Sequence, residues 1–138
     1  MDRKAFLKIS CNSCLIGAAA LLVPGCSPSV YNIFKAEAVN NTIQVPLQLF
    51  KSSSLQIVRP KGWQYDIAVQ KKPDNTFTAL MLRCTHMDNQ LITAQNGFSC
   101  SLHGSRYNAE GAVIKGPAES NLKKFNTRVE SNNIVILI

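Results

Sequence analysis

An all-β domain is predicted for most of this 138-residue chain, and three features predict it. Apolar and polar residues alternate over several short runs, as in strands with one face toward a core. Turn-forming residues punctuate those runs at short intervals. Beyond the N-terminal segment no stretch sustains a 3.6-residue apolar period, and no internal repeat is visible. A small sandwich or barrel is the expected architecture.

The elements follow in chain order. From Thr42 the text is strand-like, with Val45, Leu47 and Leu49 alternating with polar residues; Trp63, Tyr65, Ile67 and Val69 do the same. Arg59-Pro60-Lys61-Gly62 reads as a turn between runs, and Lys72-Pro73-Asp74-Asn75 as a second. Residues 76–83 read as a strand that delivers the chain to Cys84. Asn96-Gly97 is the strongest hairpin signal, because both residues accept positive φ in a two-residue loop. Residues 122–129 and 134–138 complete the strands. The last is apolar at every position and is expected to be buried on both faces.

Composition narrows the functional classes. Apolar residues make up 46% and charged residues 17%, which suits a packed core and argues against long disorder. The length suits one domain. Fifteen Lys plus Arg against eight Asp plus Glu give +7, which favours an acidic partner or an anionic membrane surface. The lysines are scattered rather than interleaved with aromatics, so no nucleic-acid stripe is expected.

Residues 1–25 read as an export signal. Arg3, Lys4 and Lys8 precede an apolar run over residues 14–23, which breaks at Pro24-Gly25-Cys26. That run is about half of the roughly 20 residues needed to cross a bilayer, so an uncleaved anchor is the second reading. Cys11 and Cys14 fall inside the signal and are not read as a redox or zinc pair. Residues 26–41 read as a tether and residues 42–138 as the domain. Val23-Pro24-Gly25-Cys26 resembles a bacterial lipobox, with Pro24 an unusual occupant. That likeness implies lipid at Cys26 and a place on the periplasmic side of a bacterial membrane. Residues 2–8 resemble the twin-arginine export motif, with Lys4 replacing the second arginine. Such folded-state export suits a protein that takes up its cofactor before leaving the cytoplasm. Cleavage before Cys26 leaves only Cys84 and Cys100 beside the lipid-bearing residue, so no spare pair remains for the disulfides that export invites.

The chain has two histidines, and both lie within three residues of a cysteine. Cys84-Thr85-His86 and Cys100-Ser101-Leu102-His103-Gly104-Ser105 stand 13 residues apart. Two thiolates and two imidazoles could hold zinc at tetrahedral geometry. Zinc fingers, however, usually pair two cysteines in one knuckle and two histidines on a helix. Here each half supplies one of each, on two loops with a hairpin between. Both cysteines can then hold one metal and both histidines another, as in a centre where a histidine pair replaces a cysteine pair on one iron.

From about residue 80 to 125 the sequence resembles the Rieske iron–sulfur family. Cys-Thr-His matches its first cluster loop and Cys-x-x-His-Gly-Ser its second. Gly116-Pro117-Ala118 followed by Asn121-Leu122 resembles its proline loop. The resemblance implies an antiparallel β sandwich or barrel with a small cluster-binding subdomain. It further implies a 2Fe–2S cluster with Cys84 and Cys100 on the inner iron and His86 and His103 on the outer. An oxidised centre with two thiolates is neutral, whereas four thiolates make it doubly negative and harder to reduce. Rieske potentials accordingly run from about −150 to +300 mV, against roughly −400 mV for plant-type ferredoxins.

By the same resemblance Ser105 and Tyr107 occupy the places from which high-potential members hydrogen-bond the cluster sulfurs; the plain alternative is a surface serine and a core tyrosine. Asn89 and Leu102 stand where the cysteines of that type's inter-loop disulfide would be, so the brace is missing. Met87 reads either as an apolar screen at a docking face or as a core methionine. Asp88 reads as a solvated loop charge, and Lys123 and Lys124 as an exposed strand face. The implied function is one-electron transfer in a membrane-associated redox chain, as a carrier or oxidoreductase subunit rather than a complete enzyme. Its implied partners are a redox protein, such as a cytochrome, and quinol. A free-standing ferredoxin-like donor to an oxygenase or another oxidoreductase is the alternative, and a structural zinc module the third.

Overall fold

The computed structural model describes residues 31–138. The expected export signal, its two cysteines and the lipid site at Cys26 lie outside the described residues. Twelve strands and one 3₁₀ turn make up the regular structure, and there is no α-helix among the described residues. No helix among them is long and apolar enough to cross a membrane.

Eight strands form one sheet. They are β1 (Ile33–Ala36), β2 (Ala38–Val39), β3 (Thr42–Pro46), β4 (Leu55–Pro60), β5 (Ile67–Lys71), β6 (Phe77–Met81), β11 (Lys124–Glu130) and β12 (Asn133–Leu137). Their order across the sheet is β1-β4-β5-β6-β11-β12-β3-β2. The two outermost strands, β1 and β2, are consecutive in the chain with Glu37 alone between them, so the sheet rolls into a nearly closed barrel. All its pairings are antiparallel except β1 with β4.

The second sheet has four three-residue strands in the order β10-β9-β8-β7: β7 (Ile92–Ala94), β8 (Gly97–Ser99), β9 (Arg106–Asn108) and β10 (Val113–Lys115). It is an insertion. The chain leaves the barrel at the end of β6, builds the small sheet and its loops, and returns as β11 beside β6, with Lys124 opposite Leu80 and Phe125 opposite Ala79.

Strand periodicity explains how one barrel wall serves two cores. Successive side chains of a strand point to opposite faces. On β4, β5 and β6, the residues Val58, Ile67, Val69 and Ala79 pack inside the barrel with Ile43, Val45, Ile134 and Ile136. Their neighbours Ile57, Ala68 and Leu80 face the other way. They meet Leu82, Cys84, Leu91, Phe98, Cys100, Tyr107, Ala118 and Leu122 of the insertion. This wall is buried on both faces, and so is the middle of β12, as its unbroken apolar text predicts.

Several expected boundaries shift. The residues expected as a tether include β1 and β2: Ile33, Phe34, Lys35 and Ala36 pair in parallel with residues 57–60, and Ala36 is buried in the barrel core. The alternation read through Leu47 and Leu49 ends at Pro46, where a 3₁₀ turn (Leu47–Phe50) begins and packs Phe50 edge-on against Phe77 at 5.1 Å. Trp63 and Tyr65 precede β5 rather than open it. The connection they lie in is pinned by the bidentate Arg59–Asp66 pair at 2.7 and 2.8 Å. The β7–β8 loop is Gln95-Asn96, one residue earlier than expected, because Ala94 pairs with Gly97. Gly97 has φ 148°, and a Cβ there would overlap the Tyr107 carbonyl oxygen and approach Asn108 Cα to 2.9 Å, so the position takes only glycine.

Candidate metal centre

Two loops with the same backbone wiring face each other at the tip of the insertion. In the first, the Cys84 N–H donates to the Asn89 carbonyl at 2.8 Å, and the Cys84 carbonyl accepts the Asp88 N–H at 3.0 Å. In the second, the Cys100 N–H donates to the Ser105 carbonyl at 2.9 Å, and the Cys100 carbonyl accepts the Gly104 N–H at 3.0 Å. Each cysteine thus bonds to residues four and five places on. The residue four places on is left-handed in both: φ is 48° at Asp88 and 79° at Gly104. Glycine meets that demand without a Cβ penalty. Asp88 meets it with support, since its carboxylate takes Arg83 Nε at 2.6 Å and its carbonyl accepts the Tyr65 hydroxyl at 2.5 Å. It is a tethered corner of the loop as well as an exposed charge.

A third loop, residues 116–120, is held by one hydroxyl from each cysteine loop. Thr85 Oγ1 donates to the Ser120 carbonyl at 2.6 Å, and the wholly buried Ser105 Oγ accepts the Ala118 N–H at 3.0 Å. All three segments expected around the site therefore converge.

The four candidate ligands divide by depth. Cys84 and Cys100 are 2% and 3% exposed, free of any disulfide, and sit in the second core. His86 and His103 are exposed above them, with ring centroids 5.0 Å apart and planes at 84°.

The electrostatics favour the thiolate at Cys84. Burial pushes the Cys84 thiol up, but the backbone N–H groups of His86 and Met87, with the Tyr107 hydroxyl, outweigh it and hold the thiol below its ordinary value. Burial pushes the Tyr107 phenol up, against hydrogen bonds from Thr85, so it stays a donor. That hydroxyl lies 3.6 Å from Cys84 Sγ. On the other sulfur, Asn89 Nδ2 donates to Cys100 Sγ, also at 3.6 Å. Two buried thiols with donors aimed at them, beneath two accessible imidazoles, fit a group that takes sulfur on one side and ring nitrogen on the other.

Of the residues expected to be secondary, Tyr107 is buried on β9 opposite Phe98, and Ser105, two residues earlier, is buried as well. Met87 is 59% exposed and Leu102 55%, so the core reading of Met87 fails and both flank the histidines as surface residues. Lys123 and Lys124 are exposed, with Lys123 Nζ 4.8 Å from the Phe125 ring centroid. Sequence reasoning treated Asn89 only as a missing cysteine and gave Tyr65 no role at the site. Neither role was legible, because the partner of a side-chain amide depends on how two loops approach, and nothing in the text brings Tyr65 to a loop 23 residues away.

Comparison with known proteins agrees. The iron–sulfur subunit of the cytochrome b6-f complex of Chlorobaculum thiosulfatiphilum is 28% identical over 77% of this chain, which spans 60% of that protein. Subunit 2 of Synechocystis is 26% identical over 99% of this chain and 84% of its own length. Among solved structures, the cyanobacterial plasma membrane Rieske protein of Synechocystis superposes with a TM-score of 0.56 at 26% identity, covering 66% of this chain and 93% of that one. Residues 43–126, more than half the chain and the whole of the insertion, match the description of a Rieske [2Fe-2S] domain. The chain therefore belongs to the Rieske family, and its cofactor is a 2Fe–2S cluster.

Proposed function

We propose that the chain passes single electrons through that cluster as the iron–sulfur subunit of a quinol-oxidising cytochrome complex. Cys84 and Cys100 would hold the inner iron and His86 and His103 the outer. The carrying observation is the depth ordering, with a sealed sulfur pair beneath an exposed histidine pair. The likeness to cytochrome b6-f iron–sulfur subunits supports the setting.

When bound, the cluster stores and releases one electron at a time. The residues around it have separate tasks. Lowered thiol basicity readies Cys84 as a thiolate ligand. The Tyr107 hydroxyl and Asn89 amide offer a donor to each sulfur, which favours extra negative charge there. Thr85 and Ser105 clamp the third loop over the site. His103, exposed at the tip, would meet quinol, and Met87 and Leu102 would form a dry rim against a partner. Export, with lipid at Cys26 holding the domain on the periplasmic side of the membrane, belongs to the same proposal. A free-standing donor to an oxygenase is the second reading, favoured by Asn89 and Leu102 in place of the brace.

The test is electron paramagnetic resonance of the reduced protein, with iron and acid-labile sulfide analysis. Two irons and two sulfides per chain are expected, with a spectrum that is lost when both histidines are replaced. Zinc, or a spectrum indifferent to the histidines, overturns the reading. Purification from membranes with a cytochrome b subunit separates the first setting from the second.

A further inference from the structure

Asn89 is bonded to both cysteine loops. Its backbone carbonyl accepts the Cys84 N–H at 2.8 Å, and its side-chain amide donates to Cys100 Sγ at 3.6 Å. The same nitrogen donates to the Gln90 carbonyl at 3.2 Å, so both amide protons have acceptors and the group is held in one orientation. The arrangement mirrors the opposite sulfur, which has the Tyr107 hydroxyl at 3.6 Å.

We infer that Asn89 is a positioning residue that raises the reduction potential from the Cys100 side, by directing an amide N–H at that sulfur across the gap between the loops. Reduction adds negative charge that is shared with the ligand sulfurs. A fixed N–H dipole whose positive end faces sulfur stabilises the reduced state more than the oxidised one. Cys100 is buried and Asn89 half-buried, so water screens the contact poorly. The contact also links the loops at one of the two positions where a covalent brace is missing, which gives the site a non-covalent tie between its halves.

The inference rests on the cluster reading above, and the experiment keeps the two apart. Asn89→Leu preserves approximate volume without any N–H, and Asn89→Asp preserves shape while replacing the donor with a carboxylate oxygen. Redox titration of both, followed by paramagnetic resonance, is compared with the unaltered protein. Asn89→Leu is expected to make reduction about tenfold less favourable, ~59 mV lower for a one-electron couple. Asn89→Asp should fall further, and both should keep full iron and sulfide. If only one variant retains the centre, its potential decides. Unmoved potentials at full occupancy overturn the inference alone. Loss of the centre from both variants assigns Asn89 a purely structural role and overturns it too. An unaltered protein without two irons and two sulfides fails the cluster reading, and this inference with it.

Discussion

The Tyr107 hydroxyl has one proton and two acceptors within reach. Thr85 donates its backbone N–H to the phenol oxygen at 3.0 Å, and Thr85 Oγ1 gives its own proton to the Ser120 carbonyl at 2.6 Å. The phenol proton is therefore left for Cys84 Sγ, or for Thr85 Oγ1 at 3.0 Å. Charge on the sulfur draws it toward Cys84, because hydrogen bonds to charged acceptors are the stronger ones. Tyr107→Phe keeps the ring that packs in the second core and removes only this donor. A hydrogen bond to a charged group contributes about 1.5–3 kcal/mol, and only the part that differs between oxidation states counts. A fall of about 1 kcal/mol, or roughly 40 mV for one electron, is expected in a redox titration. No downward shift removes Tyr107 from the account. The contact of Tyr107 with Cys84 was expected from the family resemblance, in which a tyrosine follows Cys-x-x-His-Gly-Ser two residues on. The matching donor at Asn89 was not, since an asparagine's side-chain partner depends on how two loops approach, and spacing along the chain does not encode that approach.

The two cysteine loops are one element built twice, with the same pair of backbone bonds and a left-handed residue at the same step. Their difference in sequence predicts a difference in tolerance. Left-handed backbone costs a residue with a Cβ about 1–2 kcal/mol. At Gly104 an added Cβ would touch nothing within 4 Å, so Gly104→Ala isolates that strain and should lower stability by about 1 kcal/mol in chemical denaturation. Asp88→Gly relieves the same strain while losing only an exposed, solvent-screened ion pair to Arg83, so it should be nearly neutral. Equal losses at the two sites would sink the equivalence. The strands show the same division between what local text encodes and what it does not. The middle of β12 was read correctly, because the unbroken apolar run Ile134, Val135 and Ile136 needs burial on both sides, whereas Leu137 at its end is exposed. Pro46 ended the first alternation early, because a chain that turns away after its last ladder pair overrides the period. β9 and β10 left no signal, since three residues such as Arg106, Tyr107 and Asn108 carry too little pattern to read. β1 was taken for tether because its partner, β4, lies more than twenty residues away and pairs in parallel.

At the scale of the molecule, the barrel and the insertion depend on the metal unequally. The barrel core is closed by Ile43, Val45, Val58, Ile67, Val69, Ile134 and Ile136, with no cysteine among them. The second core includes Cys84 and Cys100 themselves, and its sheet consists of three-residue strands. Strands that short are marginal without support on a face. A cofactor that binds only the folded state stabilises what its ligands belong to. Removing iron with a chelator under reducing conditions should therefore loosen the insertion first. Amide exchange at Leu91, Phe98 and Tyr107 should speed by roughly a hundredfold, equivalent to ~2.7 kcal/mol of lost protection. Amides of Val45, Val69 and Ile136 should keep most of theirs, because the barrel's ladders and packing remain. Hydrogen exchange read by mass spectrometry on the same preparation before and after chelation checks this. Uniform loss across both sheets would mean that the shared wall of β4, β5 and β6 couples them into one cooperative unit. The alternation of Ile57, Ala68 and Leu80 with Val58, Ile67, Val69 and Ala79 would then transmit the loss of metal into the barrel instead of confining it to one face.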